Sequence, residues 1–137
     1  MEVAHKAVPK TNRMTSFIIA LLMFSNAERV TPLQYDTALA QRAQIRAEQL
    51  CETKQWSHDG WRDSFKGYSG YWGENLARNF DSATSTHKAL MKSPTHKANI
   101  VKDKYAIIGI GRSEKCNLTV ELFASNQATS TVALAKK

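Results

Sequence analysis

Two glycines spaced two apart, in "YAIIGIGRSE", limit what this chain can fold into more than any other feature. The apolar run around them reads as a strand, and in a strand residues two apart share a face. Gly109 and Gly111 therefore leave one face bare, where a covering element can approach closely. "NLTVELFAS" reads as a second strand, and the turn near Lys115-Cys116-Asn117 joins the two into a hairpin. Upstream of the hairpin the pattern is mainly helical, with one early extended segment. Helices first and a hairpin last predict an α+β fold, an antiparallel sheet covered by helices.

The helical part begins with "FIIALLMF" (17–24), which is apolar all round. Lys6, Lys10 and Arg13 precede it and "SNA" follows, as in a secretory leader with a small-residue cleavage site. The same residues also suit a buried first helix over 15–29, capped by Thr15 or Ser16. Residues 1–14 read as a polar arm. Pro32 makes "VTPLQY" extended. Asp36 then caps a helix over 37–53, with Leu39, Ala43, Ala47 and Leu50 on one stripe and Gln41, Gln44 and Glu48 opposite. "KQWSHDGW" reads as a short strand or extended segment. Residues 60–73, rich in glycine and aromatics, form a loop, with Gly73 giving a tight turn before Glu74. Asp81 or Ser82 caps a third helix to about Met91. Ser93 and Pro94 start a short fourth. Residues 126–137 are a polar tail.

A chain of 137 residues fits one domain. Its formal charge of +7 suits solubility first, and anionic partners such as membrane surfaces or acidic polymers second. No zinc finger or aromatic-plus-basic motif points to nucleic acid, so no nucleic-acid partner is expected. Cys51 and Cys116 do not form C-x-x-C. They either pair in an oxidising compartment or stay as buried thiols.

Several short motifs fall in one order: Asn26 and Arg29, Pro32-Leu33, Ser57-His58, "GENLA" (73–77), "SPTHKANI" (93–100) and "IGIG" (108–111). Together they resemble the CAP superfamily in its bacterial-type form. This is the SCP domain of cysteine-rich secretory proteins, antigen 5 and pathogenesis-related proteins. The likeness spans about residues 15–125. It implies a three-layer α-β-α sandwich in which the first helix belongs to the mature fold, which favours the helix over the leader. It also implies an extracellular or particle-associated protein, although composition leaves a cytoplasmic one open.

The resemblance implies a cleft with two histidines and two glutamates. His58, Glu74 and His96 match three of these; the second glutamate falls at Ser93. Two imidazoles and a carboxylate can bind zinc with an open position, to hold an anion or activate water. Without metal, His58 and Glu74 can act as an acid–base pair, or all three can form a polar network that specifies the fold. There is no H-E-x-x-H, no nucleophile elbow, and no cysteine near a histidine. The expected function is therefore binding of a metal, a lipid or a cell-envelope component. A metal-dependent hydrolase using the same three residues is the alternative. A structural subunit of a larger assembly, such as a virion or secreted complex, is a third reading. His5 and His87 are expected to be solvated or packed, and Asn75 and Asn99 to tie loop backbone. Trp56, Trp61, Tyr71 and Trp72 either line a groove or pin the loop.

Overall fold

The structure is a computed structural model that describes residues 10–129. The two ends, 1–9 with His5 and 130–137, lie outside the described residues. Four α-helices and four strands occur in the order α1 (Lys10–Ala27), β1 (Gln34–Tyr35), α2 (Thr37–Thr53), β2 (Trp72–Arg78), α3 (Ala83–Lys92), α4 (Pro94–Val101), β3 (Ile107–Ser113) and β4 (Leu118–Ala124). A 3₁₀ turn, Trp61–Phe65, lies between α2 and β2.

The sheet order is β1-β3-β4-β2. The hairpin pairs β3 with β4 in antiparallel register, Gly109 opposite Leu122 and Gly111 opposite Val120. β2 pairs antiparallel with β4, Glu74 opposite Leu122. β1 is parallel to β3, so the sheet is mixed where the sequence predicts it antiparallel.

Helices cover both faces. On one side Leu39, Ala43, Ala47 and Leu50 of α2 pack with Val120 and Leu122. On the other, Phe17 and Leu21 of α1, Leu90 of α3 and Ile100 of α4 pack with Ile108, Ile110 and Phe123. Both faces being buried explains why every residue of β3 and β4 is buried.

Asp36 and Ser82 cap as predicted: Asp36 Oδ2 accepts from the Leu39 amide at 2.9 Å, and Ser82 Oγ from the Ser85 amide at 3.0 Å. The glycine prediction also holds. A Cβ on Gly109 would lie 2.3 Å from the Ala40 nitrogen, and one on Gly111 2.3 Å from the Ala43 carbonyl carbon, so α2 rests on bare strand.

Four further expectations change. α1 starts at Lys10, so Thr15 and Ser16 lie inside the helix rather than capping it; no glycine or proline interrupts residues 10–27, and Lys, Arg and Met sustain helix. "KQWSHDGW" is a turn segment, not a strand. "WGENLAR", read partly as loop, is edge strand β2, paired along its length with β4. Gly73 therefore makes no turn; it clears space, since its Cβ would meet the Tyr105 hydroxyl at 2.3 Å. Among the described residues no helix is long and apolar enough to cross a membrane.

Candidate functional site

The motif residues around the site are mostly ties. Asn26 exchanges two hydrogen bonds with the backbone of Leu33. Arg29 reaches from the end of α1 to the carbonyls of Ile100, Lys102 and Tyr105, fastening the turn after α4. Burial lowers the pKa of this guanidinium, opposed by the charge of Asp103. Asn75 and Asn99 tie α4 to β2, and a cleft opens between α4 and the loop after α2.

That cleft is an open cavity of about 300 Å³ lined by His58, Trp61, Trp72, Glu74, Asn99 and Tyr105, with Gly73 between. Its floor is the edge strand. His58 Nδ1 donates to Glu74 Oε1 at 2.8 Å, with the histidine side chain 54% exposed and the glutamate 1% exposed. Sequence reasoning missed the residue that completes the pair. Arg46, one turn after Arg42 on α2, donates from Nε to Glu74 Oε2 at 2.7 Å and from Nη2 to Oε1 at 3.1 Å. It also donates to the carbonyls of Ser57 and Asp59, on either side of His58. Arg46 thus matches the carboxylate's charge and locks the histidine loop. The signal was present: Arg42 and Arg46 sit beside Ala43 and Ala47 of the apolar stripe, where a solvated charge would be out of place.

The third predicted residue, His96, does not line the cavity. Its Nδ1 shares a 2.7 Å hydrogen bond with Ser93 Oγ, so the serine at the missing glutamate position orients this ring. Burial lowers the His96 pKa, and the positive charge of His58 lowers it further, which places the two imidazoles within electrostatic reach. Ser93 is the helix cap by position, as predicted, but its hydroxyl serves His96 rather than the helix backbone.

Beneath the cleft lies a second missed group. Glu121, in the middle of β4, is fully buried, and burial raises its pKa to about 7 against the opposing hydrogen bond from Asn75. Asn75 Nδ2 donates to Glu121 Oε1 at 3.2 Å and to the His96 carbonyl at 3.1 Å. Asn99 Nδ2 in turn donates to Asn75 Oδ1 at 2.8 Å and to the Glu74 carbonyl at 3.2 Å. The asparagines do tie backbone, as expected, and they also link the buried acid to the cleft wall. Burial raises the Tyr105 pKa, which keeps its hydroxyl protonated as it donates to Asn99. His87 is packed as expected, its Nε2 2.9 Å from Glu28 Oε2.

Trp61 and Trp72 both line the cleft and pin the loop: Trp72 stacks on Phe65 at 5.0 Å, and Trp61 tilts against Trp72 at 5.2 Å. Among the described residues no group of three or more His, Cys, Asp or Glu side chains is placed to hold a metal ion. The donor chemistry agrees. A zinc site built on His58, His96 and Glu74 would need a Glu74 oxygen as ligand, and those oxygens already accept three hydrogen bonds from Arg46 and His58. Cys51 and Cys116 form a disulfide, with their Cα atoms 5.6 Å apart, which joins the end of α2 to the β3–β4 turn.

Fold and site define a small α-β-α sandwich with an open histidine–glutamate cleft over an edge strand. The chain belongs to the cysteine-rich secretory protein family, known as CAP, whose profile matches residues 13–127. Solved structures share the fold at low identity. An extracellular protein containing an SCP domain from Bacillus anthracis superposes with a TM-score of 0.71 at 16% identity, over 90% of this chain and 45% of that one. A cysteine-rich secretory protein from Staphylococcus aureus gives 0.72 at 16% identity, over 92% and 42%. An outer surface protein from Borrelia burgdorferi gives 0.68 at 19%, over 91% and 100%. The chain thus spans less than half of the first two proteins. No curated protein matches it significantly.

Proposed function

We propose that this chain is an extracellular CAP domain that binds a cell-envelope ligand in the cleft over β2, without chemical turnover. One observation carries the reading: Glu74, the one carboxylate lining the cavity, is held at both oxygens by Arg46 and His58. A general base must present a lone pair to the proton it takes. Here the charge is matched and three hydrogen bonds from Arg46 and His58 occupy most of the carboxylate's acceptor sites, so Glu74 holds the His58 loop in place. The cavity is open, and the His58 ring stands half exposed at its edge, suited to contact a ligand. The disulfide fits an oxidising compartment, and bacterial proteins of the same fold are described as extracellular or outer-surface.

The test is sedimentation with protein-free bacterial envelope fragments, beside turnover assays on ester, peptide and glycoside panels. Wild-type protein should co-sediment. His58→Ala should bind at least tenfold more weakly with an unchanged unfolding midpoint, and no panel should show turnover. Undiminished binding by His58→Ala would move the site elsewhere. Chelator-sensitive turnover that vanishes in Glu74→Gln would establish the hydrolase instead. Zinc is the competing occupant. It would have to use the other ring nitrogens of His58 and His96 and open the Arg46–Glu74 pair. Calorimetric zinc binding lost in both His58→Ala and His96→Ala would support that reading.

A further inference from the structure

Beside the aromatic rings of the cleft stand three cations, Arg62, Lys102 and Lys104. The Arg62 guanidinium lies 5.7 Å from the ring centroids of both Trp61 and Trp72, which line the cavity. Lys102 Nζ lies 5.3 Å from the centroid of Tyr71 and 5.8 Å from that of Tyr105, and Lys104 Nζ lies 5.7 Å from Tyr71. Tyr71, next to Trp72, is 51% exposed.

Among the described residues none of these three cations is within ion-pair distance of a carboxylate. Their acidic chain neighbours, Asp63 and Asp103, form no ion pair with them among the described residues. Asp63 lines a separate cavity beside Arg42, and Asp103 acts on Arg29. The one acid in the cleft is already matched by Arg46. The rim therefore carries a local positive field, set against electron-rich ring faces.

We infer that this rim is a binding site for an acidic oligosaccharide, a deepening that rests on the cleft-binding reading above. A sugar ring offers an apolar C–H face that packs against the exposed Tyr71 ring, and its carboxylate or phosphate groups pair with Lys102, Lys104 and Arg62. Its hydroxyls find a hydrogen-bond partner in the second ring nitrogen of His58, whose Nδ1 alone is bonded to Glu74. A neutral sugar would leave the cations unmatched. An acyl chain would find no deep apolar tunnel, because the cavity is open and His58, Glu74 and Asn99 stand in its wall.

Calorimetry with tetragalacturonate and with a phosphorylated pentamannoside tests this, with neutral maltotetraose as reference. At least one acidic probe should bind wild type, and maltotetraose at least tenfold more weakly. The Lys102→Gln/Lys104→Gln pair and Tyr71→Ala should each weaken binding tenfold or more. Lys88→Gln/Lys92→Gln, on the exposed side of α3, should not. Failure of both acidic probes overturns the inference. So does equal binding of polyglutamate, oligothymidylate or phosphatidylglycerol vesicles, which would show a general polyanion, nucleic-acid or lipid-headgroup surface. If envelope binding still depends on His58 while neither acidic probe binds, only the saccharide assignment fails. If both are lost, the cleft-binding reading fails with it.

Discussion

Arg46 and Glu74 form a buried charge pair, with side chains 7% and 1% exposed. Such a pair adds little over an apolar one, but removing one member leaves the other charged and unsolvated. Arg46→Ala should therefore cost about 3–5 kcal/mol, more than a surface arginine by several-fold. It should also release the carbonyls of Ser57 and Asp59, so the His58 loop should become the first site of proteolysis. Urea unfolding and limited trypsin digestion read the two effects; an unaltered loop would show that Arg46 is not its anchor. The apolar stripe of α2 was legible because its period is local. The arginine's role was not, because its partner lies 28 residues away on another element.

Among elements, α2 packs on β3 with no room for a side chain at Gly109 or Gly111. Gly111→Ala would push a methyl group to within 2.3–2.5 Å of the Ala43 and Gln44 backbone. Backbone cannot yield as a side chain tip can, so overpacking here should exceed the usual cost of about 1–3 kcal/mol. The expected result is a large loss of soluble, folded protein, with Gly109→Ala behaving alike. Near-normal stability in urea would mean that α2 can lift off the sheet. The Cys51–Cys116 bridge ties the other end of α2 across a separation of 65 residues. Loop entropy gives such a bridge roughly 4 kcal/mol, so reduction should lower the urea midpoint markedly, and mass after alkylation without reductant should show no free thiol. β2 was only half legible because its side chains do not alternate polar and apolar: Gly73, Glu74 and Asn75 are all buried, each by a different partner.

For the whole molecule, pH dependence should turn on Glu121. Its folded pKa is about 7 and its ordinary value 4.5. The folded state therefore holds the proton more tightly. Both states are protonated below about pH 4.5, so nothing is lost there. As pH rises towards 7 the unfolded chain ionises first, and stability falls by roughly 3 kcal/mol before levelling off. His96 acts oppositely: with its pKa lowered, its contribution is present above 6.5 and is lost as pH falls through the folded value. Glu121→Gln keeps the partner for Asn75 and removes the ionisation. It should be more stable than wild type at pH 8 and similar at pH 4.5, measured by urea unfolding. Equal stability at pH 8 would place the folded pKa near 4.5.

The sequence by itself determined what depends on neighbours in the chain. The caps at Asp36 and Ser82, the α2 stripe, the β3–β4 hairpin and the bare face at Gly109 and Gly111 follow from spacing of a few residues, and the ordered motifs carried the family. It also offered His58 and Glu74 as a pair, because both stand in motifs. Only the tertiary structure decided what Glu74 is bonded to, that Glu121 is buried against Asn75 of the neighbouring strand, and that Lys102 and Lys104 meet Tyr71. Each of these joins residues from different elements. Hydrogen-bond geometry, desolvation and charge pairing act through space, and local pattern holds no record of them.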